Sequence, residues 1–296
     1  MKRIVARDSQ LRLLFNALGR RKYLRRRALM HAAKCPRLAI IPDDEIGIEI
    51  LQFGIYEQIL LTMLFDDVLV DFRDDFKRKT VLDIGANIGN HSVYLAQRFK
   101  RVVAFEPGSV AFHLLCANRI LNSCANIDLH QIGLSDRERP AFLGPVQSDN
   151  IGSNAVTAVG KVGQEVIALR RGDAVLQSLY ERDPIALVKI DVEGHEIEAL
   201  RGLETTLSTH RPIILFETTG KHGPSGSDAV IDLLRTFGYR NFYTLAKDFP
   251  FPQWRSSLIR AAVRAAMGAR YVLTRRESFD DRYYNLAIAT VDQQLV

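Results

Sequence analysis

The run Val81-Leu82-Asp83-Ile84-Gly85-Ala86-Asn87-Ile88-Gly89-Asn90-His91-Ser92 constrains this chain more than any other: a buried-type strand breaks into a glycine loop and enters a helix. Gly85 and Gly89 allow a tight turn and close backbone approach to a ligand, and the following helix offers N–H groups to polar or negative atoms. A second strand, Val102-Val103-Ala104-Phe105-Glu106, ends in an acid about 20 residues later, the spacing at which a carboxylate holds ribose hydroxyls. The pair predicts a nucleoside-binding constellation at the carboxyl ends of parallel strands.

From residue 80 onward, short Val/Ile/Leu runs alternate with longer helical patterns, which predicts βα units around a parallel sheet covered on both faces. Strands are expected at 80–84, 102–106, 127–132, 186–191, 212–217, 240–245 and 284–290, a number that suits a doubly wound seven-stranded sheet. Helices fit at 92–99, 110–121, 196–208 and 227–237, the last opening at Ser227-Asp228 and closing at Gly238. Residues 141–165, with Gly144, Pro145, Asn150, Gly152 and Gly160, carry turn chemistry and predict a long loop or small hairpin. Three domain segments follow: a basic helical N-terminal arm over 1–40, an accessory cap over 41–79, and the core over 80–296 with a basic helical insertion at 247–279. Within the cap, 46–51 reads as a strand and 56–64 as a helix.

A chain of 296 residues that is 47% hydrophobic can bury one large core. Cys35, Cys116 and Cys124 are odd in number and lack metal-ligand spacing, so free thiols in a reducing compartment are expected. The N-terminus lacks a signal-peptide apolar region, and no apolar stretch reaches the roughly 18 residues of a membrane span, so the expected location is cytoplasmic. The net charge of +6 is unevenly placed: residues 1–40 carry twelve Lys and Arg against Asp8 alone. Arg20, Arg21, Lys22, Arg25, Arg26 and Arg27 follow an apolar stripe of Leu11, Leu14, Phe15 and Leu18, and Arg255, Arg260, Arg264, Arg270, Arg275 and Arg276 form a second basic stretch. Solvated helix faces are the first reading of both, and peripheral contact with an anionic membrane or acidic glycan is the second. Nucleic acid is not expected, because no aromatic residues are interleaved with the arginines.

Ligands of an open α/β sheet sit beyond the carboxyl ends of its strands, so the acids there matter most. Asp83, Glu106, Asp191 and Glu217 occupy those positions. For Glu217, a helix cap or arginine partner is as good an account as function. The octapeptide Lys189-Ile190-Asp191-Val192-Glu193-Gly194-His195-Glu196 places four charged groups and a histidine where a strand meets a helix. A histidine at a helix N-terminus has its charged form disfavoured by the dipole, which leaves a neutral imidazole suited to a general base. Asp191 could orient it or take the proton itself. The plainer alternative is that His195 and Glu196 satisfy backbone N–H groups in the first helical turn.

The order VLDIGANIGNHS, VVAFEP, NRILN, KIDVEGHE and RPIILFE, opening at Phe53-Gly54-Ile55-Tyr56-Glu57 and covering roughly residues 53–245, resembles the FkbM-type S-adenosylmethionine-dependent methyltransferases. The resemblance implies a class I, Rossmann-like methyltransferase fold and methyl transfer to a hydroxyl of a sugar, glycan or related natural product. It implies further that Asp83, Gly85, Ala86, Asn87 and Gly89 surround the methionine portion of the cofactor, that Glu106 takes its ribose, and that Asp136 in Gly133-Leu134-Ser135-Asp136 meets the adenine amino group. Asp191, Glu193 and His195 fall on the acceptor side as the catalytic candidates. Arg171-Gly172-Asp173 departs from the family's usual Leu-Asp-Asp, and the 247–279 segment is longer than usual.

No metal is expected, a divalent cation on Asp191, Glu193 and Glu217 being the lesser reading. A nicotinamide-dependent oxidoreductase is the competing enzyme class, but Asn87 stands where a dinucleotide loop wants its second glycine. An amino-nitrogen methyltransferase would favour an Asn/Asp-Pro-Pro-aromatic run where this chain has Asp191-Val192-Glu193-Gly194. The non-enzymatic alternative is a cofactor-fold module that binds acidic glycans or membranes through its basic arms.

Overall fold

The structure is a computed structural model that describes residues 2–8, 35–42, 44–144, 156–157, 160, 164–180, 184–218, 227–248, 269–279 and 284–295. Thirteen strands are found among the described residues: β1 (Lys2–Asp8), β2 (Thr80–Ile84), β3 (Arg101–Phe105), β4 (Ile127–His130), β5 (Gly133–Ser135), β6 (Arg139–Leu143), β7 (Val156–Thr157), β8 (Glu165–Arg171), β9 (Ile185–Ile190), β10 (Ile213–Thr218), β11 (Asn241–Asp248), β12 (Ala269–Arg276) and β13 (Tyr284–Thr290). Nine of them form one sheet in the order β1-β12-β11-β13-β10-β9-β2-β3-β4. The pairs from β4 across to β10 are parallel, and β13 runs antiparallel to both β10 and β11.

All seven strands expected from the apolar runs are present, and β1 and β12 extend the sheet by two. Both additions correct the expected helices. Part of the 247–279 segment is β12, whose Tyr271, Val272, Leu273 and Thr274 are strong strand formers among the arginines. Residues Lys2–Asp8 pair antiparallel with it, from Lys2 opposite Thr274 to Asp8 opposite Ala269. The remainder of the two basic stretches, 9–34 and 249–268, lies outside the described residues.

Alternation along the central strands feeds two apolar layers, as expected of a sheet covered on both faces. Val81, Val102, Ala104, Leu187 and Leu215 face one layer, and Leu82, Val103, Phe105, Val188 and Phe216 face the other. Each such buried Val, Leu or Phe side chain contributes roughly 1.5–3 kcal/mol. Residues 46–51 form a helix rather than the expected strand: although alternating Ile46, Ile48 and Ile50 favour β structure locally, the helix Glu45–Phe53 has an acid in its first turn. It ends where left-handed Gly54 returns its N–H to the Ile50 carbonyl. The next helix, Gln58–Met63, continues into a π turn, Leu64–Val68, packed under the first apolar layer.

The expected helix over 196–208 is two helices, Glu196–Gly202 and Glu204–His210. Gly202 lies so close to β5 that a Cβ would stand 2.0 Å from the Ser135 carbonyl oxygen, so the first helix rests on the second sheet through a glycine. In that sheet, ordered β5-β8-β6-β7, β6 and β7 pair antiparallel within the stretch 141–165 expected as a loop or small hairpin; residues 145–155 lie outside the described residues.

Residues 35–42 run along the helix Ser109–Leu121. The Asn122 side chain accepts the Arg37 N–H at 2.9 Å and donates to the Arg37 carbonyl at 2.8 Å. One turn earlier, the fully buried Asn118 accepts the Ala39 N–H and donates to the Ala39 carbonyl, and its amide also donates to the carbonyl of Ile88 in the glycine loop at 2.7 Å. Among the described residues no single helix is long and apolar enough to cross a membrane; Glu45–Phe53 and Gln58–Val68 pass by length and composition only as a pair bent by 66°.

Candidate active site

The strand order reverses beside β2, with β3 on one side and β9 on the other, and a cavity of about 440 Å³ opens at that switch point. Residues at four strand ends enter its wall: Gly85 after β2, Glu106 after β3, Asp191 after β9 and Glu217 within the end of β10. Tyr56 and Glu57 from the cap, and Gly133 and Leu169 from the second sheet, close other sides.

The glycine loop turns because its backbone must. Gly85 has φ +78°, and a Cβ there would stand 1.8 Å from the Asp191 carbonyl oxygen, so only glycine lets β2 and β9 end side by side. The Gly85 and Ala86 N–H groups both donate to the Phe105 carbonyl at 3.0 Å. Asn87 takes a left-handed conformation at φ 49°, and Gly89 one at φ 82°. Glu57 and Glu193 are left-handed as well, so three of the five non-glycine residues with positive φ among those described lie in this cavity wall. Such conformations persist where surrounding structure over-determines them, and they gather at functional sites.

Glu106 is held by the loop it faces. Its carboxylate accepts the Asn87 N–H at 2.9 Å and the Gly108 N–H at 2.8 Å. Burial pushes its carboxyl up to about 7, against the downward pull of those two N–H groups. Asn87 Oδ1, buried in the same wall, has no hydrogen-bond partner among the described residues. Asp83 sits behind the wall rather than in it. It is fully buried, accepts the Ser92 hydroxyl at 2.5 Å and lies 3.4 Å from the Lys189 ammonium. Ala86 and Gly89 likewise shape the loop without lining the cavity.

On the β9 side, Lys189 reaches Asp191 Oδ2 at 3.2 Å. Burial works against its charged form, but Asp191 and Asp83 outweigh that and raise its pKa. Asp191, Glu193 and Glu217 bring carboxylate oxygens within 4.8 Å of one another. Burial, then Asp191 and Glu193, push the Glu217 carboxyl up to about 8. His91, on the helix that follows the glycine loop, is pushed down to about 3 by burial and by Lys189, and its Nε2 lies 3.5 Å from Glu57 Oε2. Near neutral pH that contact is therefore not an ion pair.

His195 lines the cavity, but its ring nitrogens face elsewhere: Nε2 is 3.1 Å from Ser135 Oγ and Nδ1 is 3.6 Å from Glu198 Oε2. Burial is the main cause that lowers its pKa. Asp191 is paired with Lys189 rather than with His195. Glu196 accepts the Gly194 N–H at 3.0 Å, the plainer role open to it. Asp136 accepts the Ser135 hydroxyl at 3.1 Å and is not among the cavity's lining residues. Residue-by-residue reading gave Lys189, His91 and Glu57 no role, though all three stood in quoted motifs; lone polar residues at the borders of apolar runs were their only signal.

A sheet of this order, with β13 inserted antiparallel between β10 and β11 and a cavity at its switch point, defines a class I methyltransferase fold. The methyltransferase FkbM domain matches residues 83–241, more than half of the sequence, and the chain belongs to the FkbM methyltransferase family. It is similar to the methyltransferase sdnD of Sordaria araneosa, 28% identical over 178 residues that cover 50% of this chain and 69% of that protein. It is also similar to the hexuronic acid methyltransferase AglP of Haloferax volcanii, 32% identical over 133 residues, 45% of this chain and 53% of that one. A solved FkbM methyltransferase from Methylobacillus flagellatus matches 90% of this chain and 60% of its own length at 16% identity, with a TM-score of 0.41. The chain thus spans between about half and two thirds of the length of these relatives.

Proposed function

We propose that this methyltransferase uses S-adenosylmethionine and methylates a hydroxyl oxygen of a sugar, glycan or related natural product. The observation that carries the cofactor assignment is Glu106, fixed by two backbone N–H groups beside a glycine loop whose buried Asn87 Oδ1 awaits a donor. A carboxylate so held keeps further lone pairs for ribose hydroxyls. When bound, the cofactor supplies a methyl group already activated by its sulfonium.

The chain's own work is then to align the acceptor, exclude water and accept a proton. Asp191, Glu193 and Glu217, clustered in the same cavity wall as Glu106, are oxygen acceptors for a polyhydroxylated substrate. Glu217 is the best placed of them to take the hydroxyl proton, since Asp191 shares the Lys189 ammonium, and a base works best with a pKa near the working pH. Binding a cationic cofactor draws that carboxyl downward toward neutrality. Oxygen is favoured over nitrogen as acceptor because Asp191-Val192-Glu193-Gly194 supplies carboxylates where amino methyltransferases favour an Asn/Asp-Pro-Pro-aromatic run. The similarity to a hexuronic acid methyltransferase supports a sugar-like acceptor.

Calorimetry with S-adenosylhomocysteine and with NAD tests the cofactor: binding of the first alone is expected, and binding of NAD alone overturns the proposal. Incubation with methyl-labelled cofactor and fractionated cell extract then tests the acceptor. Label in glycan or hydroxylated small molecules is expected, and label confined to protein or nucleic acid overturns the assignment.

A further inference from the structure

We propose that Glu57 anchors the ammonium of the cofactor's amino-acid end, an inference that rests on the cofactor reading above and adds a residue from outside the glycine loop.

The amino-acid end of S-adenosylmethionine carries an ammonium that needs oxygen acceptors and favours a carboxylate among them. Asp83, the acid at the head of the loop motif, cannot serve. It has no exposed surface, its Oδ2 accepts the Ser92 hydroxyl, its Oδ1 makes no hydrogen bond among the described residues but faces the Lys189 ammonium at 3.4 Å, and it is absent from the cavity wall. Glu57 is in that wall, with its side chain 18% exposed.

Its position is fixed from several directions. The Tyr56 N–H and carbonyl are clamped by the Asn90 side chain at 3.0 and 3.1 Å, which ties this segment to the first residue of the helix after the glycine loop. The Glu57 N–H donates to Glu49 Oε1 at 2.9 Å, and its carbonyl accepts the Leu61 N–H at 3.0 Å. These bonds hold a glutamate in a left-handed conformation, φ 55°, that a non-glycine residue keeps only where its surroundings over-determine it.

The two carboxylates bracket the loop. Glu106 grips it at Asn87, and Glu57 touches His91 on the helix that follows it. A ligand lying along the loop with its ribose at Glu106 brings its other end toward Glu57. His91, held neutral by burial and by Lys189, adds no charge of its own to its contact with Glu57, and the Glu57 carboxylate also acts on Lys189. Asn87 Oδ1 offers a second acceptor in the same wall.

Two ligands separate this role from a structural one. S-adenosylhomocysteine carries the amino-acid end, whereas 5′-methylthioadenosine shares its nucleoside and thioether and lacks that end. Calorimetry on wild type, Glu57→Gln and Glu106→Gln should show Glu57→Gln weakening S-adenosylhomocysteine about 10- to 100-fold, the size of a lost charge-assisted bond. Its affinity for 5′-methylthioadenosine should stay within about twofold. Glu106→Gln should weaken both ligands alike. A partly unfolded sample lowers both ligands together, so the ratio within one variant is the readout, and Glu57→Asp should recover part of the lost ratio. Equal loss of both ligands in Glu57→Gln, or loss of neither, overturns the proposal while wild-type binding leaves the cofactor reading intact. Failure of wild type to bind S-adenosylhomocysteine overturns both.

Discussion

The two ends of the cavity are built by different means. At the β3 end, geometry comes from the backbone: Glu106 rests on the Asn87 and Gly108 N–H groups, and the loop's own N–H groups on the Phe105 carbonyl. At the β9 and β10 end, Asp191, Glu193 and Glu217 crowd near the Lys189 ammonium. Backbone donors fix directions, even for a carboxylate such as Glu106 whose pKa burial raises to about 7. Crowded carboxylates trade protons and respond to any cation that arrives. The β3 end is thus a template, and the β9 and β10 end is adjustable.

The sharpest test of that contrast is Gly85→Ala, because Gly85 is where the ends touch. Its Cβ would meet the Asp191 backbone carbonyl, and its conformation is left-handed. A destabilisation of about 3 kcal/mol or more in urea unfolding is expected from the combined clash and backbone cost. A loss below about 1 kcal/mol would show that the strand ends can part, and that the two halves are not locked together.

Next in size is Glu217→Gln. With an identified acceptor, turnover should fall on the order of 100-fold while affinity for S-adenosylhomocysteine changes little. Wild-type kcat/KM should drop as pH is lowered through the Glu217 pKa, and the variant should lose that limb. Unchanged turnover would move the base elsewhere, with Asp191 the first alternative.

Stability against pH shows what the two ends have in common. Glu106 and Glu217 both have carboxyl pKa values raised in the folded chain, to about 7 and about 8. The folded state therefore holds these protons where the unfolded state has released them, and stability falls as pH rises from the ordinary carboxylate range to about 8. Thermal melts across that range should show the decline, and Glu217→Gln should flatten its upper part. A melt profile that rises with pH in both proteins would contradict the crowding described here.

The smallest effect is expected far from both ends. Asn122→Ala removes two hydrogen bonds to an exposed segment and should cost about 1 kcal/mol, with S-adenosylhomocysteine affinity unchanged. Asn118→Ala, whose amide also holds the Ile88 carbonyl, should reach the glycine loop and weaken cofactor binding. Equal effects of the two on binding would deny that connection.

The seven central strands were legible because short runs rich in apolar residues recur between helical patterns, and the glycine loop because its residues announce a turn. What escaped reading depends on partners far along the chain. β1 and β12 pair residues more than 260 positions apart, which no local pattern encodes. His195 stands at a helix start as expected, yet its orientation is set by Ser135, 60 residues earlier. Glu57 looked like the border of a cap helix, and only the packing of that cap over the loop brings it to the cavity. Strand ends could be located from sequence, but which acids share a proton could not, because that depends on distances between different strands.

Asn118 and Asn122 have a consequence beyond attachment. One turn apart on a helix, each amide meets both the N–H and the carbonyl of alternate residues in an extended segment, so the helix surface behaves like the edge of a β-sheet. Such a contact reads main-chain atoms alone. The side chains of residues 37 and 39 are therefore free to drift over evolutionary time without loosening the segment, while the two asparagines that hold it are not.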